Sequence, residues 1–281
     1  MHTIEERARR FRALHEGPGL FVMPNPWDAG TARLLASLGF EALATTSLGL
    51  ASSLGRVDGT RSVSRQALID NCRAIASATD LPVSADLENG YADDPEAAAQ
   101  IIPMAAQAGV VGGSIEDASG DPERPVYDFT LAVERVAAAV QAARRLPFPF
   151  TLTARAENFL HGRKDLDDTI RRLQAFADAG ADVLYAPGLR DLDTIREVAR
   201  AVSRPLNVVM SSADPDITVA QLADAGVKRV SVGGALSRLA YAAVRGAAIE
   251  MRDAGRFGWV RDAMPGSELG RLFGERADPG A

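Results

Sequence analysis

Leu81-Pro-Val-Ser-Ala-Asp86-Leu-Glu88 and Val110-Val-Gly-Gly-Ser-Ile-Glu116-Asp117 are two strand-like runs that end in carboxylates. Thirty positions separate Asp86 from Glu116, the length of one strand–helix unit that returns to the neighbouring parallel strand. One unit further on, Pro149-Phe-Thr-Leu-Thr-Ala-Arg155-Ala-Glu157 ends in a cation. Acids at the carboxyl ends of adjacent parallel strands, with an arginine beside them, suit a hard metal ion and an anionic substrate bound together. That combination points to an enzyme.

Working outward, the strand-like runs are preceded by two alternating markers. Pro18, Pro82, Pro147 and Pro205 stand before one set; Gly39, Gly109, Gly180 and Gly226 stand before the other. The glycines follow Ala- and Leu-rich helical stretches and are placed to take the left-handed conformation that ends a helix. The prolines stop a helix and push the preceding residue toward extended geometry. Eight strands alternating with helices predict a closed (β/α)8 barrel rather than a doubly wound open sheet, which usually has fewer repeats.

The helices carry their own signals. Asp94-Pro95-Glu96 reads as an N-cap, a proline in the first turn and an early acid, and Pro103 should kink the helix that follows. Leu166, Ile170, Leu173 and Phe176 form an apolar stripe over 165–179. Asp28 reads as an N-cap. His2 and His15 precede the barrel and are expected at the surface, and Cys72 is expected to be a packing residue.

With 281 residues the chain fits one barrel domain, 1–281, with the barrel at about 18–250 and a helical tail at 251–281. A content of 47% apolar and 24% charged residues is that of a globular protein, and a net charge of −6 gives no reason to expect nucleic acid or an anionic membrane as partner. No run reaches the roughly 18 apolar residues of a membrane span, and the start lacks a signal-peptide pattern, so a cytoplasmic location is expected. One cysteine excludes an intrachain disulfide and a cysteine-built metal site.

Barrel chemistry sits at the carboxyl ends of the strands. Those ends deliver Asn25 and Trp27; Thr45, Thr46, Ser47 and, through a loop, Asp58; Ser84, Asp86 and Glu88; Glu116 and Asp117; Arg155 and Glu157; Tyr185; Asn207; and Gly233-Gly234 before a helix. If the third strand ran far enough, Ser84, Asp86 and Glu88 would share a face. An oxygen-only acid set suits Mg²⁺ or Mn²⁺. Ion pairs of Asp86 and Glu116 with Arg155 are the bland competitor.

The stretches Pro24-Asn-Pro-Trp-Asp-Ala-Gly, Ala44-Thr-Thr-Ser-Leu-Gly-Leu-Ala-Ser-Ser-Leu-Gly, Pro82-Val-Ser-Ala-Asp-Leu-Glu-Asn-Gly-Tyr, Ser114-Ile-Glu-Asp, Thr153-Ala-Arg-Ala-Glu-Asn-Phe-Leu and Pro205-Leu-Asn-Val stand in one order over roughly residues 20–240. As a set they resemble the isocitrate lyase and phosphoenolpyruvate mutase superfamily. The resemblance implies a Mg²⁺-binding barrel, a C-terminal helix exchanged between subunits, and cleavage or formation of a C–C or P–C bond in a small 2-oxo or 2-hydroxy acid. It implies Asp86 as the main metal ligand, Glu116 completing the metal shell, and Asp58 as an acid beside it. The Thr45–Ser47 turn would hold the substrate through backbone amides, Arg155 would bind a carboxylate, and Trp27, Asn207 and Arg238 join the substrate-binding set. Two features depart from the pattern. Ser84 replaces a second acid, and Asp117-Ala-Ser-Gly-Asp-Pro-Glu-Arg-Pro-Val-Tyr127 has neither the lyase cysteine nor the lysine and asparagine of the mutase and hydrolase loop.

The expected function is therefore a Mg²⁺-dependent lyase or decarboxylase acting on an oxaloacetate-like dicarboxylate through an enolate. Tyr127, Glu123, His161 or water would supply the proton. The alternatives are a phosphonopyruvate-type C–P enzyme, a substituted-malate or methylisocitrate-type lyase, and a barrel that binds a 2-oxo acid without turnover. A homodimer or homotetramer is expected, through the helix with Leu236, Leu239, Ala243, Ala247 and Met251 along one side and Phe257 and Trp259 behind it.

Overall fold

The computed structural model describes residues 2–59 and 62–274. Their eight strands are β1 (Phe21–Met23), β2 (Leu43–Ala44), β3 (Val83–Asp86), β4 (Gly112–Glu116), β5 (Thr151–Arg155), β6 (Val183–Tyr185), β7 (Leu206–Val209) and β8 (Arg229–Ser231). The strands pair in parallel in the order β1-β8-β7-β6-β5-β4-β3-β2. The Ala44 amide donates to the Pro24 carbonyl at 3.1 Å and brings the two edges together. This is the expected (β/α)8 barrel.

Around it run α1 (Ile4–Glu16), α2 (Ala29–Ser37), α3 (Ser47–Ser53), α4 (Arg65–Ser77), α5 (Pro95–Ala99), α6 (Ile101–Gln107), α7 (Phe129–Arg144), α8 (Leu166–Asp178), α9 (Leu192–Ala201), α10 (Val219–Asp224), α11 (Ala235–Ala254) and α12 (Gly266–Gly274). The four marker glycines take φ values of 86°, 97°, 103° and 94°, the left-handed region that ends the preceding helix at little steric cost. Asp28 and Asp94 cap α2 and α5 as expected. Pro103 has no N–H for the Ala99 carbonyl, and the helix divides at Gln100 into α5 and α6. Among the described residues, no helix is long and apolar enough to cross a membrane.

One expectation fails, through a buried polar group. His15 is buried, because α1 closes the amino-terminal end of the barrel. A Thr3–Glu6 capping box opens that helix, and Ala8, Phe11 and His15 turn inward at helical spacing. The Phe11 ring lies so close to β4 that a Cβ at Gly112 would stand 2.7 Å from it, while one at Gly113 would meet Leu87 at 2.7 Å. The glycine pair of β4 thus lets side chains pack on both faces of the strand. The α8 stripe packs on the core as expected, with polar residues beside it. Leu173 and Phe176 are buried, but Asp168, Thr169 and Arg172 share their face, while Leu166 and Ile170 are half-buried. Arg172 is drawn inward by Asp168 (2.8 Å), Asp117 (3.0 Å) and the Tyr127 carbonyl (2.9 Å). A stripe read from apolar residues alone misses such a pair.

Past its first turn, α11 leaves the barrel. Leu239, Val244 and Ile249 are exposed, whereas α12 returns to α2, where Arg33 Nη1 donates to the Phe273 carbonyl at 2.8 Å. Residues 275–281 of the expected tail lie outside the described residues.

Because Phe11 is fully buried at the barrel's closed end, Phe11→Ala is expected to cost about 3–5 kcal/mol of stability. Urea denaturation checks this; a loss below about 1 kcal/mol would mean that α1 does not seal the core.

Candidate active site

Asp86, Glu116 and Arg155 are the last residues of β3, β4 and β5, three neighbouring strands. The ladders set Glu116 opposite Arg155 and Asp86 opposite Ser114. Register therefore converges three side chains that lie far apart in the chain. The Arg155 guanidinium meets three carboxylates: Nη1 with Asp86 at 2.9 Å, Nη2 with Glu116 at 3.2 Å, and Nε with Glu157 at 2.7 Å. It also stands over the Tyr185 ring, 4.9 Å from the centroid. Glu157 is held in turn, since its amide donates to Asp117 Oδ1 at 2.8 Å and Asp117 Oδ2 accepts from Arg172. Asp117, the second acid of its run, is thus a buttress.

The acids outnumber the cation. Asp58, Asp86, Glu88, Glu116 and Glu157 form a mutually repelling group around Arg155. Burial, with repulsion from Asp86, raises the pKa of Asp58; burial pushes Glu88 up to about 7. Burial raises Glu116 as well, against the pull of Arg155. Burial opposes the charge of Arg155, but Glu157, Glu116 and Asp86 outweigh it and hold the guanidinium protonated.

β3 ends too early for Glu88 to share the face of Ser84 and Asp86. The backbone turns left-handed at Glu88 (φ 49°) and Tyr91 (φ 63°), a strained conformation for side-chain-bearing residues. The Tyr91 hydroxyl donates to Glu88 Oε1 at 2.6 Å and locks the turn.

Thr45, Thr46, Ser47, Asp58, Ser84, Asp86, Arg155, Asn207 and Arg238 line one cavity of about 280 Å³. Glu116 lines an adjoining lobe of about 140 Å³ with Glu88 and His161; Ser47, Asp58, Leu160 and Arg155 border both spaces. Trp27 does not line the cavity. Its Thr31-bound amide leads into α2, and its Cβ packs where a side chain on Gly49 would stand. The Thr45–Ser47 turn is also more committed than expected. The Thr45 amide bonds the Ser84 carbonyl (2.9 Å), the Ser47 amide bonds Asp86 Oδ2 (3.1 Å), and Thr45 Oγ1 accepts from the Asp86 amide (2.9 Å). The turn positions Asp86 and leaves the Thr46 amide for a ligand. The Gly233 amide is taken by Asn25 Oδ1 at 2.9 Å. Tyr127 and Glu123 lie away from the cavity, and the Tyr127 hydroxyl donates to Asp93 at 2.6 Å. Of the proposed proton donors, His161 alone is a lining side chain.

Sequence reading passed over Arg229, which also lines the cavity. Its signal was Lys228-Arg229 at the start of a strand, where alternation must send one cation outward and the other into the barrel. Tyr185, delivered by the end of β6, lines the cavity as well.

The donor chemistry fits a hard divalent cation. The half-buried carboxylates outnumber the cation beside them, and three of them have raised pKa values that a further cation would relieve. Among the described residues, no three acids converge as one ligand set. Mg²⁺ itself takes one or two carboxylates and completes its shell with water and substrate oxygens. Asp86 and Glu116 would hold it.

A family model described as phosphoenolpyruvate phosphomutase matches residues 11–252. A Burkholderia cenocepacia structure described as a candidate lyase or mutase shares 57% identity over 98% of this chain and 97% of its own, with a TM-score of 0.93. A Corynebacterium glutamicum protein named as a probable 2-methylisocitrate lyase is 30% identical over 95% of this chain and 88% of its own. An oxaloacetate acetylhydrolase bound to oxalate aligns at 29% identity and TM-score 0.87, covering 97% and 95% of the two chains. A phosphonopyruvate hydrolase with oxalate and Mg²⁺ aligns at 25% identity and TM-score 0.85, covering 95% of each. With the barrel and its strand-end acids in place, the chain belongs to the phosphoenolpyruvate phosphomutase family, within the isocitrate lyase/phosphoenolpyruvate mutase superfamily of lyases, mutases and hydrolases.

Proposed function

We propose that this protein is a cytoplasmic, Mg²⁺-dependent carbon–carbon lyase or decarboxylase acting on a small, oxaloacetate-like 2-oxo or 2-hydroxy dicarboxylate. The observation that carries the reading is the ring of half-buried acids around Arg155 at the strand ends, beside a cavity of substrate size. Relatives named for oxaloacetate and for methylisocitrate, and one solved with Mg²⁺ and oxalate, support it.

Bound between Asp86 and Glu116, Mg²⁺ would supply Lewis acidity toward the oxygens of a 2-oxo acid. Asp58 adds negative charge beside that position. Arg155 keeps the acids apart and presents its remaining N–H groups to a substrate carboxylate. In decarboxylation the bond between the distal carboxylate and the carbon next to the carbonyl breaks, carbon dioxide leaves, and the electron pair moves into an enolate whose developing charge would meet the Thr46 amide. The proton that completes the product comes from His161 or from water at the mouth. The stretch 117–127 has no cysteine, lysine or histidine, which favours decarboxylation over the acid/base-assisted routes to C–P or methylisocitrate cleavage.

A homo-oligomer, with α11 and the tail exchanged or packed between copies, belongs to the same reading. Leu239 is 66% exposed, Val244 67% and Phe257 63%, a row of apolar side chains that a lone monomer would leave in water.

Asp86→Ala is expected to abolish metal-dependent turnover with the fold intact, measured by assay against a panel of 2-oxo, 2-hydroxy and phosphono acids with and without Mg²⁺. Near-normal activity at limiting Mg²⁺ would sink the assignment. Arg155→Lys should lower kcat/KM more than about tenfold, because a point charge cannot replace a fork that meets three carboxylates. Wild-type kinetics in that variant would leave Arg155 a purely structural ion pair. Deletion of 255–281 should give aggregation or loss of the oligomer; light scattering that finds the full chain monomeric at micromolar concentration would defeat the oligomer.

A further inference from the structure

The cavity has a second electrostatic pole, opposite in sign to the acid ring. Arg229, the first residue of β8, points into the barrel, is 3% exposed, and lines the cavity on the side closed by α1. Three neutral groups hold its guanidinium. Asn207 Oδ1 accepts from Nε at 2.8 Å, Thr153 Oγ1 accepts from Nη2 at 3.0 Å, and His15 Nε2 lies 3.2 Å from Nη1. The imidazole is an acceptor there. Its Nδ1 lies 2.8 Å from the Phe11 carbonyl, which can only accept, so the ring proton sits on Nδ1. Burial, with the charge of Arg229, pushes His15 down to about 3 and keeps it neutral.

Among the described residues, no carboxylate pairs with Arg229, in contrast to Arg155 with its three. Burial lowers its pKa to about 9, opposed by the Tyr185 phenol. A buried cation without a counter-charge is costly, and a position that only needed filling would be better served by a neutral side chain. The guanidinium has more N–H groups than these contacts use. The missing partner is an anion, and the cavity is the route by which one arrives.

We propose that Arg229, with Asn207 and Ser231 beside it, forms a subsite for the distal carboxylate of the substrate and so selects 2-oxo dicarboxylates over 2-oxo monocarboxylates. The proposal rests on the reading of the cavity as a 2-oxo acid site. Asn207 Oδ1 fixes the plane of the guanidinium, and its Nδ2 donates to Ser231 Oγ at 3.0 Å, which leaves the serine hydroxyl hydrogen to donate to the ligand. The two poles then bind opposite ends of one molecule. Its 2-oxo acid end lies toward Asp86, and its far carboxylate is held by a cation that no protein acid neutralises.

The test is calorimetric titration of the full-length protein in Mg²⁺ with 3,3-difluorooxaloacetate, the dicarboxylate bound as inhibitor by an oxaloacetate acetylhydrolase, and with pyruvate. The wild type should bind the dicarboxylate at least about tenfold more tightly. Arg229→Gln should lose that preference while its pyruvate affinity stays within about twofold, and Arg229→Lys should keep part of it. Equal wild-type affinities overturn the subsite, as does a glutamine variant that keeps the preference or weakens both ligands alike. If the glutamine variant fails to fold, the wild-type comparison decides alone. Absence of turnover across the acid panel with the binding preference intact would retire the lyase reading and leave the subsite standing. Failure of both probes to bind in Mg²⁺ would remove both.

Discussion

The guanidinium of Arg155 among the carboxylates of Asp86, Glu116 and Glu157 is the interaction on which the site depends. Without it, like charges at the ends of three adjacent strands would repel one another in a poorly solvated place. With it, they remain close, while burial and mutual repulsion raise the pKa values of Asp58 and Glu88 nearby. One side chain therefore holds three carboxylates together at the strand ends.

Much of the surrounding fold serves that contact. Arg172 on α8 reaches Asp117, which holds the Glu157 amide, and the Glu157 carboxylate holds Arg155 Nε. The turn after β2 grips Asp86 from the other side through the Ser47 amide and the Thr45 hydroxyl. Behind β4, Gly112 and Gly113 give room for Phe11 and Leu87, so the strand carrying Glu116 is packed on both faces. Asp86 and Glu157 are thus each held from two sides, the kind of support that electrostatic preorganisation requires.

The barrel interior also separates charge along its depth. Acids gather at the strand ends, while the lone arginine of β8 lies nearer α1 among amide, hydroxyl and imidazole groups. Such polarity orients an elongated anion before any contact specific to its chemistry is made. The same element that closes the barrel, α1, supplies through His15 the neutral acceptor that steadies the cation.

The residues alone determined the barrel, since proline and glycine markers, strand length and unit spacing are local properties that repeat along the chain. They also placed two acids and a cation, Asp86, Glu116 and Arg155, at the ends of their strands, where the structure has them. Sequence could not decide how each group is used. Trp27 falls outside the cavity because the Asp28 cap and the Thr31 contact turn the chain into α2. Tyr127 is drawn to Asp93, and His15 goes inward because α1 seals the barrel. Arg229 was hidden because a charged residue in a short strand reads as exposed until the closed sheet shows which face is interior. Periodicity tells which residues share a face; only closure of the barrel and the register of its strands decided what that face meets, because those contacts join residues far apart in the chain.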